Sequence, residues 1–320
     1  CIVSRCVCVT GGTGFLGSQV VAHLEEQGAS VVSCSRTSGC DLRSLDEALR
    51  FFKEHQPEII INCASHQGGL AYQGLYPATI FYDNIMMGAN TMEAARLCQV
   101  KKYVNIIAGC AYPACPVDGV LKEKDFEAGP MHETVESYGA TKRAALAQSR
   151  AYRRQYGFMA VSLILINLYG PGEYFQPERS HALAALIRKF YEAKRDNLPE
   201  VVLWGSGSAV REWLYVDDAA SGIVRATECY NDVEPLNIAV GEGYTIRELA
   251  SIIQEIVGFK GRIAYDLTKP DGALYKIGDI TRMKEALHWE PPTPIREGIR
   301  RTLDWFVQHY EEAVNPVTPR

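Results

Sequence analysis

The sequence predicts an α/β protein built on a doubly wound parallel sheet, with a smaller lobe formed mainly by the C-terminal half. Three observations carry this prediction. Short apolar runs alternate with amphipathic helical patterns through the first half of the chain. A glycine triplet, Gly11, Gly14 and Gly17, stands between the first apolar run and the first helical pattern. After Gly170 the texture changes, and Pro171, Gly172, Pro177, Pro199, Gly205 and Gly207 punctuate shorter elements. A strand–helix–strand rhythm of this kind folds as a parallel sheet covered by helices on both faces.

In chain order, residues 6–10 read as the first strand, 15–27 as a helix and 30–35 as the second strand. Residues 44–55 read as a helix with Ser44 as N-cap and Glu47 three residues on, the pattern of a capping box. Residues 58–63, rich in isoleucine, fit a third strand buried on both faces. A long helix at 77–99, a strand at 103–108, a second long helix at 137–156 and a strand at 160–166 complete the first half. Later helical patterns at 245–257 and 295–310 carry apolar stripes that read as core faces. The chain is expected to rejoin the sheet near 235–239. The implied division is a dinucleotide domain over 1–170, with a returning segment near 210–240, and a mainly substrate-binding lobe over 171–320. Residues 315–320 read as a polar tail.

The 320 residues suffice for one large α/β domain or one plus a smaller lobe. Apolar content of 47%, charged content of 22%, a net charge of −5 and a pI near 5.9 are those of a globular enzyme, with no nucleic-acid or membrane partner. No apolar run is long enough to span a bilayer. The sequence opens on a strand pattern rather than a leader, so no signal peptide is expected. The ten cysteines, among them Cys34, Cys63, Cys98 and Cys229, mostly sit in apolar runs, which predicts buried thiols and a cytoplasmic location. Cys1, Cys6 and Cys8 lack a second Cys/His pair at ligand spacing, so no metal site is expected.

The glycine spacing G-x-x-G-x-x-G directs the chemistry. Gly11 permits the tight turn, Gly14 lets the backbone approach a pyrophosphate, and Gly17 lets the helix lie close on the strand. This is a Rossmann-type dinucleotide signature. Where an NAD site places an acid for the ribose 2′-hydroxyl, the second strand ends instead in Ser33-Cys34-Ser35-Arg36. Ser35 and Arg36 suit a 2′-phosphate, so NADP(H) is expected over NAD. Tyr138 and Lys142, four apart on a helix, share one face. Beside a nicotinamide, the tyrosine serves as general acid or base, and the lysine lowers its pKa and holds the ribose.

Residues 11–17, Asp41-Leu42, Asn62-Cys63-Ala64, Tyr138-x-x-x-Lys142 and Asn167-Leu168-Tyr169-Gly170-Pro171 together resemble the extended short-chain dehydrogenase/reductases that act on nucleotide sugars. Within that group the similarity is greatest to the GDP-L-fucose synthase family, which couples 3,5-epimerisation to NADPH-dependent 4-keto reduction. The stretches that carry it are Gly68-Gly69, Cys110-Ala111-Tyr112-Pro113, Arg154-Gln155-Tyr156-Gly157, Ser180-His181, 202–207, 211–218 and Lys269-Pro270-Asp271-Gly272, of which the Cys110, His181 and Lys269–Gly272 segments are the most discriminating. The resemblance implies that Cys110 and His181 exchange protons at C3 and C5 of a 4-keto sugar. It implies that Gly11, Thr13, Gly14, Phe15, Leu16, Gly17, Ser35, Arg36, Asp41, Leu42, Ala64, Tyr138, Lys142, Asn167 and His181 meet the cofactor, with Asp41 on the adenine amine. Asn167, Arg188, Trp204, Arg211 and Lys269 are the candidates for the GDP-sugar. The two long helices resemble those that form a homodimer interface in this superfamily.

One position departs from the pattern. The family has a serine or threonine where this chain has Ala108, and a second serine is usual at Gly109. Losing one such donor costs on the order of 2.7–4 kcal/mol of transition-state stabilisation. Three explanations stay open: an engineered substitution, a neighbouring hydroxyl or water that substitutes, or a reductive step that is slow or absent. The alternatives to an epimerase–reductase are a related GDP-heptose reductase, an epimerase-only enzyme, an NDP-sugar 4-epimerase and, more remotely, a non-catalytic nucleotide sensor.

Overall fold

The computed structural model describes residues 2–269 and 275–315. From the N-terminus, β1 (Cys6–Thr10), α1 (Phe15–Glu26), β2 (Ser30–Cys34) and α2 (Leu45–His55) lead to β3 (Ile59–Asn62). A short α3 (Leu70–Leu75) and the long α4 (Pro77–Leu97) precede β4 (Lys102–Ala108). Then come β5 (Val120–Leu121), α5 (Glu136–Tyr156), β6 (Ala160–Leu165), β7 (Leu168–Tyr169), α6 (Ala182–Arg195), β8 (Glu200–Trp204), β9 (Val210–Glu212), β10 (Leu214–Tyr215), α7 (Val216–Cys229) and β11 (Leu236–Ile238). The remaining elements are β12 (Gly243–Thr245), α8 (Ile246–Val257), β13 (Arg262–Asp266), β14 (Tyr275–Gly278), α9 (Thr281–Leu287), α10 (Ile295–Gln308) and α11 (Tyr310–Val314).

Six strands form one parallel sheet in the order β11-β6-β4-β3-β1-β2. Strand alternation sends Val7, Val9, Ile59, Ile61, Val104 and Ile106 to a core shared with Val20 and Leu24 of α1 and Ile223 of α7. Cys8, Ile60 and Tyr103 point the other way, against Phe52 of α2 and Met92 and Ala95 of α4. Both faces are therefore covered, as the unbroken isoleucines of β3 require. The strand order reverses between β1 and β3, and at such a switch point a crevice opens beyond the carboxyl ends of the strands. A separate apolar cluster joins α6, α8 and α10 with Val201 and Leu203 of β8.

Three local readings are refined. Ser44 accepts the Glu47 amide at 3.3 Å, but the Glu47 carboxylate turns to the Asp41 amide at 2.7 Å, so only half of the capping box forms. The helix expected over 295–310 breaks at His309, whose amide and Nδ1 both bond the Trp305 carbonyl. Cys8, Cys34 and Cys40 are buried, whereas Cys229 is exposed at the end of α7, its thiol on the Arg225 carbonyl at 3.1 Å. Among the described residues no cluster of His, Cys, Asp or Glu could hold a metal ion. Among them, too, no helix is long and apolar enough to cross a membrane.

Candidate active site

The crevice begins at the glycine turn after β1. Gly11 has φ +65°, and a Cβ there would lie 2.9 Å from the Ala64 Cα beyond β3. A Cβ on Gly17 would lie 2.1 Å from the Gly11 carbonyl oxygen, so α1 reaches its strand only with glycine at that position. Gly14 starts α1 without a side-chain cap, and the first turn holds no acid. Thr13 and Gly14 are exposed, and Phe15 and Leu16 half-buried, around this helix end. An uncapped helix N-terminus beside a cradle that any side chain would fill fits the pyrophosphate of a dinucleotide.

Beyond β2, Arg36 is exposed in a single 3₁₀ turn (Arg36–Ser38), and the Ser35 hydroxyl pairs with that of Thr37 at 2.7 Å. Leu42 is buried nearby. The Asp41 carboxylate is clasped by Arg43 through Nε and Nη2, at 2.6 Å for the shortest contact, and this hydrogen bonding holds its pKa below the usual carboxylate value. Arg43 also reaches Asp83 at 3.1 Å, Asp83 bonds His66 Nδ1 at 2.7 Å, and His66 Nε2 meets the Tyr72 hydroxyl at 2.7 Å.

Tyr138 and Lys142 project from α5 towards the end of β4. The lysine ammonium lies 5.1 Å from the centre of the Tyr138 ring and donates to the Ile106 carbonyl at 3.3 Å. Burial raises the Tyr138 pKa, the nearby Cys110 raises it further, and the nearby Ser65 hydroxyl opposes both. Burial lowers the Lys142 pKa to about 8, with Cys110 and Cys63 opposing. Burial pushes the Cys110 thiol up to about 11, while the ammonium groups of Lys276 and Lys142 pull the other way. Tyr138, Lys142, Cys110, Ser65 and Lys276 thus share one electrostatic neighbourhood.

His181 stands at the N-cap of α6 and bonds the buried Glu173 through Nδ1 at 2.8 Å, which leaves Nε2 for other work. Burial lowers the imidazole's proton affinity, but the hydrogen bond and charge of Glu173 outweigh it and raise the pKa above the ordinary 6.5. The loop before His181 packs on the segment that follows Ser65. The Gly69 amide donates to the Arg179 carbonyl at 2.9 Å, and Arg179 Nη2 donates to the Gln67 carbonyl at 3.3 Å. The protonated, acid-competent form of His181 is lost as pH rises through this raised value. Glu173→Gln removes the charge that raises it, so the midpoint of His181 titration should move to lower pH by roughly 1–3 units. A proton NMR titration of the imidazole in the variant checks this, and an unmoved midpoint refutes the pairing.

Further out, Arg211 pairs in register with Lys276 across β9 and β14. Each is partly buried, burial lowers the pKa of each, and Arg211 depresses Lys276 further. Glu212, fully buried, accepts the Val240 amide and, at 2.7 Å, that of Gly278, so it ties β9 to the turn after β11 and to β14 and fixes Arg211 in place. Asn167 donates to the Glu212 carbonyl at 3.1 Å. Trp204 is exposed, with the Lys269 ammonium 5.5 Å from its ring centre. Arg188 spends Nε on Glu192 and Nη1 on the Phe175 carbonyl, both at 2.8 Å. Pro270, Asp271 and Gly272 lie outside the described residues.

A model of the NAD dependent epimerase/dehydratase family matches residues 7–241, the whole run from β1 to the strand that closes the sheet. The chain belongs to this family. Probable GDP-L-fucose synthase 1 of Oryza sativa subsp. japonica is 36% identical over 304 residues, covering 95% of this chain and 92% of that protein. A GDP-L-fucose synthetase from Naegleria fowleri bound to NADP superposes with a TM-score of 0.88 at 27% identity, over 97% of this chain and 94% of that one. A GDP-D-glycero-L-gluco-heptose synthase from Campylobacter jejuni, solved in the presence of NADPH, gives 0.87 at 26% identity, over 95% and 98%.

Within this member of the epimerase/dehydratase family, three side chains escape the sequence reading. Ser65 acts on Tyr138, Glu173 bonds His181, and Lys276, paired with Arg211, acts on Cys110. Only Glu173 carried a usable signal, as an acid shortly before a predicted histidine. The other two reach the site through strand order alone.

Proposed function

We propose that the chain is an NADP(H)-dependent epimerase–reductase that converts a GDP-4-keto-6-deoxyhexose by 3,5-epimerisation and 4-keto reduction. The observation that carries this reading is the gathering of a thiol, a phenol and an ammonium, Cys110, Tyr138 and Lys142, at the carboxyl end of β4. The proposed cofactor contacts are the cradle from Gly11 to Gly17, Ser35, Arg36, Asp41, Leu42, Ala64, Lys142, Asn167 and His181. Exposed Arg36, with no acid at the end of β2, favours the 2′-phosphate of NADP(H), and both solved structures above are described with NADP or NADPH. Bound there, NADPH supplies the hydride that C4 receives.

The protein's own groups move the protons. A hydrogen α to the 4-ketone is acidic enough for a thiolate to remove, with the charge passing onto the 4-oxygen as an enolate. Cys110 is the proposed base; Lys276 and Lys142 favour its ionised form. His181, kept protonated by Glu173, is the proposed acid that returns a proton to the opposite face. In the reductive step the Tyr138 hydroxyl gives its proton to the 4-oxygen. Arg211 and Lys276, adjacent partly buried cations, suit the diphosphate, and Arg188 is the further candidate for this role. Trp204 and Lys269 offer a ring and a charge for the base.

The test incubates the protein with GDP-4-keto-6-deoxymannose in deuterated water, with and without NADPH. Deuterium at C3 and C5 reads epimerisation, and loss of NADPH absorbance reads reduction, with NADH as the comparison. Absence of both overturns the proposal; a GDP-4-keto-heptose that outperforms the hexose favours the heptose enzyme. The exposed Phe81, Tyr82 and Leu97 of α4 and Tyr156 of α5 support a homodimer, which a one-chain sedimentation mass at micromolar concentration would remove. Nine unpaired thiols among the described residues suit a reducing, cytoplasmic setting.

A further inference from the structure

The reductive site is short of a hydroxyl at Ala108, and the neighbouring strand end carries one. β3 and β4 are paired in register, Asn62 beside Asn105, so the segments beyond both strands open onto the same crevice. Ser65 lies three residues past Asn62, as Ala108 lies three past Asn105, and it is exposed, while Tyr138 is buried. The backbone around Ser65 is fastened on both sides. The Ala64 amide donates to Thr10 Oγ at 3.3 Å, and Thr10 Oγ in turn donates to the Asn62 carboxamide. The His66 amide donates to Asn84 Oδ1 at 2.9 Å, and Asn84 Nδ2 returns a bond to the His66 carbonyl at 2.7 Å. The His66 ring is held as well, between Asp83 and Tyr72. A serine so mounted presents its hydroxyl from a fixed stretch of backbone on the side of the sheet where Tyr138 stands.

We propose that Ser65 supplies, from the end of β3, the hydroxyl beside Tyr138 that the end of β4 lacks at Ala108. The inference rests on the reductase reading above. In that step hydride adds to C4, the carbonyl π pair becomes a lone pair on the 4-oxygen, and the Tyr138 O–H bond breaks to protonate that oxygen. The phenolate left behind has lost its only proton and is surrounded by buried groups. Ser65 Oγ–H donates to it and holds the charge until a solvent proton restores the phenol. This is the direction in which the Ser65 contact acts on the phenol, favouring its ionised form. Proton exchange at C3 and C5 generates no charge on Tyr138, so Ser65 has no part in it.

The experiment compares wild type with Ser65→Ala, Ser65→Thr, Ala108→Ser and the double variant Ser65→Ala/Ala108→Ser. Two readouts are taken: single-turnover NADPH oxidation, and deuterium exchange into GDP-4-keto-6-deoxymannose without any dinucleotide. Ser65→Ala should slow oxidation on the order of 10²-fold, leave exchange within about twofold, and shift the pH dependence of oxidation upward. Ser65→Thr should retain most of the rate. Ala108→Ser alone should change little, and in the double variant it should recover most of the lost oxidation. Unchanged oxidation in Ser65→Ala overturns the inference. So does an equal loss of oxidation and exchange, or a double variant that recovers nothing. Wild-type protein that exchanges deuterium but never oxidises NADPH overturns the reductase reading, a result distinct from any failure confined to the variants.

Discussion

Tyr138→Phe should remove NADPH oxidation by about 10²–10⁴-fold, the range for losing a positioned general acid. Deuterium exchange at C3 and C5 should persist within a few fold. The substitution deletes one oxygen and keeps the ring, which is buried and faces the Lys142 ammonium. The deleted oxygen's partner, Ser65, is exposed and finds water, so no buried polar group is orphaned and the fold should lose less than about 1 kcal/mol. Rapid-mixing absorbance at 340 nm reads the hydride step, and proton NMR in deuterated water reads exchange. Parallel loss of both activities would mean that Tyr138 supports the crevice as a whole rather than donating a proton.

Cys110→Ser should produce the reverse pattern. Exchange should fall by about 10²–10⁴-fold, because a serine hydroxyl does not ionise in the accessible pH range and cannot take a carbon-bound proton. Reduction of a GDP-4-keto sugar supplied already epimerised should continue within about tenfold. The wild-type thiol, pushed up to about 11 by burial, is mostly protonated at neutral pH in the ligand-free protein. Exchange catalysed by its thiolate should therefore climb with pH, until His181 loses the proton that Glu173 helps it keep. A Cys110→Ser protein that exchanges at the wild-type rate would assign the base elsewhere.

Much of the fold was legible because parallel strands buried on both faces must be continuously apolar. The isoleucines of β3 and the glycines after β1 mark the sheet and its crevice without any long-range information. The strand that rejoins the sheet, Leu236–Ile238, was legible for the same reason. The site was legible where chemistry requires a fixed spacing, as between Tyr138 and Lys142. It was hidden where chemistry depends on which strands become neighbours. Ser65 and Tyr138 lie far apart in the chain and become neighbours only because β3 pairs with β4 and α5 packs against β4. Lys276 reaches Cys110 from a strand near the end of the described chain. Glu47 likewise chose the Asp41 amide over its own helix cap, because the loop after β2 folds back within reach. In each case tertiary contact decided between partners that local spacing left equal.

The contact between Gly11 and Ala64 has a practical meaning for mutagenesis. The turn that offers itself to the phosphates leans directly on the backbone that mounts Ser65, so the two cannot be moved separately. A side chain at position 11 is a two-site lesion: it fills the phosphate cradle and, through Ala64, displaces the next residue along. Kinetic data from such a variant report the sum of weakened nucleotide retention and a misplaced hydroxyl. Alterations at Arg36 act at the far rim of β2, outside that contact, and so report on the nucleotide alone.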